Sequence, residues 1–439
     1  MKEKLFSKYQ VFVIALLAVL QFTVVMDFIV LSPLGAQLMR VLHLTTSQFG
    51  LAVSVYAFSA GISGLLAAGF ADKFDRKKLL LFFYTGFIVG TFLCGIAPNY
   101  QFLLMARVIT GSFGGVISSI SFAIITDLFK MEVRGRVLGF VQMAFATSQV
   151  MGIPVGLYFA NKVGWHAPFL MITGLSIAEY IAVVLYLKPI DEHLKIQSDR
   201  NAFSHLFKTV ARRNYLWVFL VNTLLITGGF MLMPFGSAFS VNNLGINIEQ
   251  LPLLYFVTGV FAMAAGPFIG KFSDSLGKYK MFVLGSILTS LVILFYCNLG
   301  ITPLWIVIAL NVGLMVGVLT RIISSSALIT EIPDMADRGA FMSVNSSIQQ
   351  IAGGIASIIA GLIVVQTPSG ALVHYNTLGY IVVVAIVLTA FFMYSIDQSV
   401  QRKIKAIAET KAEFVPKEIP VANIKPEEKE QEVMDVEEV

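Results

Sequence analysis

The sequence predicts an all-α integral membrane protein whose twelve transmembrane helices form two six-helix bundles. Three observations predict it: an apolar composition, twelve apolar runs of span length, and a pattern of charge that occurs twice along the chain. Of 439 residues, 57% are hydrophobic and 13% charged, against about 25% charged in a soluble domain. Soluble cores stop growing at roughly 250–300 residues, so the main solvent must be lipid. A bilayer core about 30 Å thick needs ~20 apolar residues per helix. Such runs lie near 11–31, 49–70, 79–97, 101–127, 137–160, 167–187, 215–238, 252–270, 281–299, 303–329, 340–365 and 376–395. Lipid leaves open backbone groups unsatisfied, so the runs are helices. Barrel strands would be about ten residues long and alternate in polarity, and these do neither.

The first run is no cleaved signal peptide: it is long, it carries Asp27, and no small-residue cleavage site follows. Between the second and third runs, "GFADKFDRKK" (69–78) packs Asp72, Asp75, Arg76 and Lys77 into a short turn. The fourth run, with Arg107 and the small residue Gly111, closes on "ITDLFKMEVRGR" (125–136). In the fifth, Gly152 and Gly156 permit close helix approach, and Pro154 removes a backbone donor and predicts a kink. Glu179 lies in the sixth. The polar segment 188–214 then divides the chain, as an amphipathic surface stretch or a plain solvated linker.

The second half repeats the first. "DSLGKYK" begins at Asp274 between the eighth and ninth runs, with Lys278 in the place of Arg76. "ITEIPDMADRGA" (329–340) closes the tenth and pairs Asp127 with Glu331, Met131 with Met335 and Arg134 with Arg338. A parallel repeat of six spans is a transporter signature. The domains expected are therefore 1–187, a linker at 188–214, 215–395, and a charged, Pro-containing, largely disordered tail at 396–439.

Lys and Arg set the orientation. All but four of the 31 lie in the terminal segments and alternate loops on one side. Arg40 and Lys162 lie opposite, and Arg107 and Arg321 lie within spans. The rich side is expected to be cytoplasmic, with both termini inside. The basic balance thus reports topology, and no nucleic-acid partner is expected. Cys94 and Cys297 form no CxxC, so neither a disulfide framework nor a metal site is implied. No P-loop is present, and no covalent catalysis or cofactor is expected.

Four motifs carry a family resemblance across residues 8–396. They are "ADKFDRKK", "RVITGSFGG" (107–115), "GIPVG" (152–156) and "VMDFIVLSPLG" (25–35). The chain resembles the major facilitator superfamily, and within it the twelve-span drug:proton antiporters. Ala68 and Asp75 stand where the loop signature has glycines, and the fifth-span motif is shortened. The resemblance implies that Asp72 docks on the eleventh span and that Arg76 pairs with Asp127. It also links Arg107 to proton transfer. Asp72, Arg76, Lys77 and Asp127, mirrored by Asp274, Lys278 and Glu331, would then form a clamp that breaks when the pore opens inward. Alternatively, the basic residues only enforce topology.

A charge inside a span is a functional hypothesis by default. Asp27 and Arg107 each lie ~6–9 Å below the outer surface at 1.5 Å per residue, so they can pair. Asp27 is either a proton-coupling or substrate-cation site or part of a fixed structural pair with Arg107. Arg321 aligns with Ile117 in the repeat, so it is no symmetric copy of Arg107. It could bind an anionic group, hold Asp27 or Glu179, or anchor hydrogen bonds. Glu179 either takes part in coupling or bonds a neighbouring helix. Gln142, Asn345 and Gln349 could line a cavity or bond between helices.

The function expected is secondary active export of small amphipathic or drug-like molecules in exchange for protons. It would run by alternating access, in a monomer in the bacterial inner membrane. Its partners are a small-molecule substrate, protons and membrane lipids. Proton-coupled uptake or facilitated movement of a nutrient such as a sugar, and a membrane sensor, are the alternatives.

Overall fold

Among the described residues, twelve helices are long and apolar enough to cross a bilayer. The first six are Lys8–Val30, Thr46–Ala67, Arg76–Gly95, Tyr100–Leu128, Val133–Val163 and Ala167–Tyr186. The second six are Arg213–Asn242, Ile248–Leu276, Lys278–Tyr296, Leu304–Ile329, Gly339–Ile363 and Tyr375–Lys405. They are called the first to twelfth spans below. A computed structural model of the chain describes residues 6–67, 70–195, 212–334 and 337–413. Most of the expected linker, 196–211, lies outside them, as do Met335 and residues 414–439.

Every expected run corresponds to a span, but several helices are longer than their apolar stretch. The eighth continues to Leu276, and the last helix continues to Glu413. Apolarity marks the lipid slab, whereas a helix stops only where its backbone bonding is broken. No Gly or Pro occurs between Leu276 and the apolar end at Gly270, or between Gly379 and Pro416. At the other extreme, Ser7 and Gln10 form a capping box that starts the first span, and Asp75 caps the third by accepting from the Lys78 amide at 2.8 Å.

Packing follows the sequence repeat. The first span packs on the fifth, the second on the fourth, and the third on the fourth. Seventh on eleventh, eighth on tenth and ninth on tenth repeat this six spans later. Two seams join the halves, second with eleventh and fifth with eighth. Adding six to the members of one seam, modulo twelve, yields the other, as a pseudo-twofold axis between parallel repeats requires. Large apolar side chains such as Phe268, Phe295 and Phe391 are exposed. That arrangement suits lipid, in which an exposed Phe costs nothing.

The second–eleventh seam is backbone against backbone. A Cβ on Gly50 would meet the Ser357 carbonyl oxygen at 2.7 Å. Ser54 Oγ donates to the Gly354 carbonyl at 2.8 Å, Ser47 Oγ to Gly361 at 2.9 Å and Thr46 Oγ1 to Val364 at 2.6 Å. In the fifth span, the expected kink takes the form of a π-turn at Ser148–Gly152, where the Ile153 amide donates to Ser148 O, five residues back. Pro154, two residues further, cannot donate to Val150 O and crowds it, so the chain widens there. Val150, in that turn, abuts Gly259 of the eighth span.

More polar links between the halves lie at the Lys/Arg-poor end. Ser237 Oγ donates to the Ser32 carbonyl at 3.0 Å, and Asn161 Nδ2 to the Ile248 carbonyl at 3.1 Å. The loop between the eleventh and twelfth spans also holds a short antiparallel hairpin, Val365–Gln366 with Leu372–Val373, which the all-helical reading did not anticipate. Asn243 fixes it by exchanging two 2.8 Å hydrogen bonds with the Leu372 backbone.

Candidate functional site

The first span delivers Asp27 to the interior of the first half, where it is fully buried. Arg107 Nη1 from the fourth span lies 2.9 Å from Asp27 Oδ2 and donates also to the Asp27 carbonyl at 3.2 Å. Thr91 Oγ1 of the third span donates to Asp27 Oδ1 at 3.2 Å. The Arg107 guanidinium stacks 4.4 Å above the Tyr56 ring of the second span. Its Nε is buried with no hydrogen-bond partner. Four spans thus converge on one ion pair. Removing either charge would leave the other buried without its counter-charge.

A chain of rings leads away from this pair. Tyr56 touches Phe28 with centroids 5.2 Å apart, and Phe28 meets Phe230 of the seventh span at 5.9 Å. Phe230 belongs to the second half, so the ion pair is connected to the contact between halves through two aromatic side chains.

Glu179 does not join Asp27. Its Oε2 accepts from the Tyr84 hydroxyl and, at 3.2 Å, from Thr23 Oγ1. Its Oε1 and the nearby Ser176 Oγ are buried without a hydrogen-bond partner. The sixth span therefore aims this carboxyl inward at the first and third spans. Thr23 lies one helical turn from Asp27, ~6 Å along the axis.

Arg321 is separate again. It is 3% exposed, its Cζ lies 5.6 Å from the Phe282 ring centroid of the ninth span, and its Nε and Nη2 are buried with no hydrogen-bond partner. Neither Asp27 nor Glu179 is its partner in this arrangement. Asn345 is buried and accepts from Asn222 Nδ2 at 2.6 Å, an interhelical bond between the eleventh and seventh spans. Gln349 is half-buried and Gln142 exposed.

At the Lys/Arg-rich end, Arg76 is buried, with Nε 3.0 Å from Asp127 Oδ2 and Nη1 donating to the Ala71 carbonyl at 3.1 Å. Both partners belong to the first half. Lys77 Nζ donates to the Val184 carbonyl at 2.9 Å. Asp75 does more than cap its helix: Oδ2 accepts from the Ile190 amide at 2.9 Å, and the Arg76 amide donates to Ile190 O at 3.0 Å. The start of the linker is thereby pinned to this loop. In the second half, Lys278 Nζ lies 3.9 Å from Glu331 Oε1, both partly exposed, and Asp274 is exposed. The side chains of Asp72 and Arg338 lie outside the described residues. Beyond the linker, Arg212 bonds Asp337, which also accepts from the Tyr215 hydroxyl at 3.1 Å. The Tyr215 hydrogen bond, then the Asp337 charge, raise the Arg212 pKa above the ordinary guanidinium value, so this link stays charged.

Gly111 lets the fourth span approach the second: a Cβ there would meet the Tyr56 carbonyl oxygen at 2.5 Å, so this glycine sets the height of Tyr56 beneath Arg107. Gly152 faces Met26, the neighbour of Asp27, at 3.1 Å, and Gly156 has ordinary contact distances.

The model of the Major Facilitator Superfamily matches residues 17–356 and 218–425. The chain belongs to the major facilitator superfamily. It is 23% identical over 395 residues to the uncharacterized MFS-type transporter YbcL of Bacillus subtilis, covering 86% of this chain and 95% of that one. Multidrug resistance protein 2 of Bacillus subtilis is 21% identical over 290 residues, 64% of this chain and 71% of that one. Among solved structures, a bacterial homolog of the human lysosomal transporter Spinster, inward-facing and unoccupied, superposes with a TM-score of 0.73. It is 15% identical and covers 90% of this chain and 99% of that one. The protein is thus a major facilitator transporter of small molecules, an integral membrane protein of twelve apolar helices.

Several residues of this transporter's site were not singled out from its sequence. Thr91, Tyr56, Thr23 and Tyr84 each touch a buried charge. A signal existed: Thr23 and Asp27 are four apart, and Tyr84 and Thr91 seven apart, so each polar pair shares one helix face. Phe282 under Arg321 had no such signal, because an apolar residue in an apolar span carries no information about what lies across from it.

Proposed function

We propose that this transporter exports small amphipathic molecules in exchange for protons by alternating access. The observation that carries the reading is the buried Asp27–Arg107 pair with its ring contacts to the other half. Ionised Asp27 holds Arg107. A proton on Asp27 cancels that attraction and frees the guanidinium to shift on the Tyr56 ring. Tyr56 bears on Phe28, and Phe28 on Phe230, so the proton biases how the halves meet. An equilibrium moves only by the difference in affinity for its two states, and a buried ion pair that exists in one of them supplies such a difference.

In this reading the Lys/Arg-rich end is cytoplasmic, both termini are inside, and the membrane is a bacterial plasma membrane. The Lys/Arg-poor end, where Ser237, Asn161, Thr46, Ser47 and Ser54 bridge the halves, is then the closed outer gate. Arg76–Asp127 and Lys278–Glu331 preorganise the inner loops within each half, and Asp72 completes the clamp when the outer gate opens. Residues 1–187 and 215–395 are the rocking bodies, and the protein works as a monomer. The likeness to a protein named for multidrug resistance supports amphipathic cargo.

Everted vesicles test this. With a preset proton gradient, adding a transported drug should dissipate the gradient in wild type and leave it in Asp27→Asn. Co-directional movement of a sugar with protons would instead establish uptake, and ligand binding with no flux a sensor.

A further inference from the structure

Arg321 is the one buried cation of the second half whose charge the structure leaves uncompensated among the described residues. Both Nε and Nη2 are buried without hydrogen-bond partners, and the side chain is 3% exposed. Phe282, with its centroid 5.6 Å from Cζ, offers its ring face, which attracts a cation but accepts no N–H in the manner of an oxygen. A buried unmet donor carries a desolvation cost comparable to a lost hydrogen bond, and a charged one more.

Among the described residues, no carboxylate stands ready to take those donors. In spans seven to twelve, acidic residues occur only near helix ends, as Glu249, Asp274 and Asp397. Asp274 is exposed, and Glu331 lies beside Lys278. In the first half, Asp27 holds Arg107, and Glu179 faces Thr23 and Tyr84. About one helical turn further along the tenth span, the polar residues are hydroxyls. Ser324 and Ser325, three and four residues on, are buried, and Ser324 Oγ lies 3.4 Å from Ser273 Oγ of the eighth span. A fork of unmet guanidinium donors matches the planar, two-oxygen geometry of a carboxylate.

We infer that Arg321 is the anion subsite of the transported molecule, and that the cargo is an amphipathic monocarboxylate: an apolar body with one carboxylate held by the guanidinium fork. This rests on the reading that the protein moves small amphipathic molecules, and it narrows their class. The same N–H groups would donate to the phosphate of an anionic lipid, a second source of the shared anionic chemistry.

The full chain in phosphatidylcholine nanodiscs separates these. Benzoate, with its uncharged isostere benzamide, serves as the probe, and the shift in unfolding temperature with probe concentration is the readout. Benzoate should stabilise the wild type and benzamide should not. Arg321→Gln should weaken benzoate at least about tenfold. Arg321→Lys keeps the charge but loses the fork, and should weaken it by a smaller factor; it carries the test if the Gln variant fails to fold. Equal shifts with benzoate and benzamide, or undiminished benzoate binding in both variants, would overturn the inference. Stabilisation by phosphatidylglycerol nanodiscs that depends on Arg321, with no response to benzoate, would also overturn it, and would assign the subsite to lipid. If benzoate binds in this Arg321-dependent way while the wild type moves no protons, the proton-exchange reading fails and this one stands. If protons move with neutral or cationic drugs and benzoate does not bind, this one fails alone.

Discussion

Asp27 and Arg107 are bound to each other's charge. Replacing either alone leaves a buried, uncompensated group, which costs about 3–5 kcal/mol in comparable settings. Asp27→Asn and Arg107→Gln should each lower the unfolding temperature in detergent. The double variant should be more stable than the sum of the two losses implies, because it buries no net charge. Simple additivity would show that the pair is not coupled. Asp75 makes a different prediction. Its carboxylate caps the third span and holds the Ile190 amide. Asp75→Ala should cost about 1 kcal/mol from the cap alone and should hasten tryptic cleavage within 188–214. An unchanged cleavage rate would mean that Ile190 is held without it.

Among the elements, the fifth span is the least regular. Its π-turn places Val150 against Gly259, where a Cβ would meet Val150 Cα at 2.9 Å. Pro154→Ala restores a donor to the helix and should regularise the turn, rotating the residues before it by roughly one position, about 100°. Val150 would then leave the Gly259 surface. The expected outcome is normal insertion with slower flux. Gly259→Leu should slow flux by the opposite route, forcing the fifth and eighth spans apart. Wild-type turnover in both would show that this seam does not limit transport.

For the molecule as a whole, closure at the Lys/Arg-poor end is the feature that can be locked. Ser237 Oγ of the seventh span reaches the Ser32 carbonyl, in the turn after the first span, at 3.0 Å. Cysteines at positions 32 and 237, in a background with Cys94→Ala and Cys297→Ala, should crosslink on oxidation. Flux should stop when they do and return on reduction. Undiminished flux in a fully crosslinked sample would mean that this end need not open.

How far these features could be read from the chain depends on their length in sequence. The spans, their number and the charge bias were legible, because a bilayer imposes one requirement on every ~20-residue segment and records it locally. The repeat was legible too, in Asp127 with Glu331 and Lys278 with Arg76. The matching depths of Asp27 and Arg107 made their pairing foreseeable, since helical rise converts residue number directly into depth. Azimuth is different. Whether Glu179 faces lipid or the first and third spans, and whether Arg321 meets a carboxylate or a ring, depends on how each helix is rotated. Rotation is set by packing summed over several neighbours, among them glycines at 50, 259 and 361 whose partners are more than a hundred residues away. Composition thus determined the solvent, the number of crossings and the depth of each charge. Only the tertiary structure decided which charges meet, because lipid constrains a helix along its axis and leaves its rotation to the helices beside it.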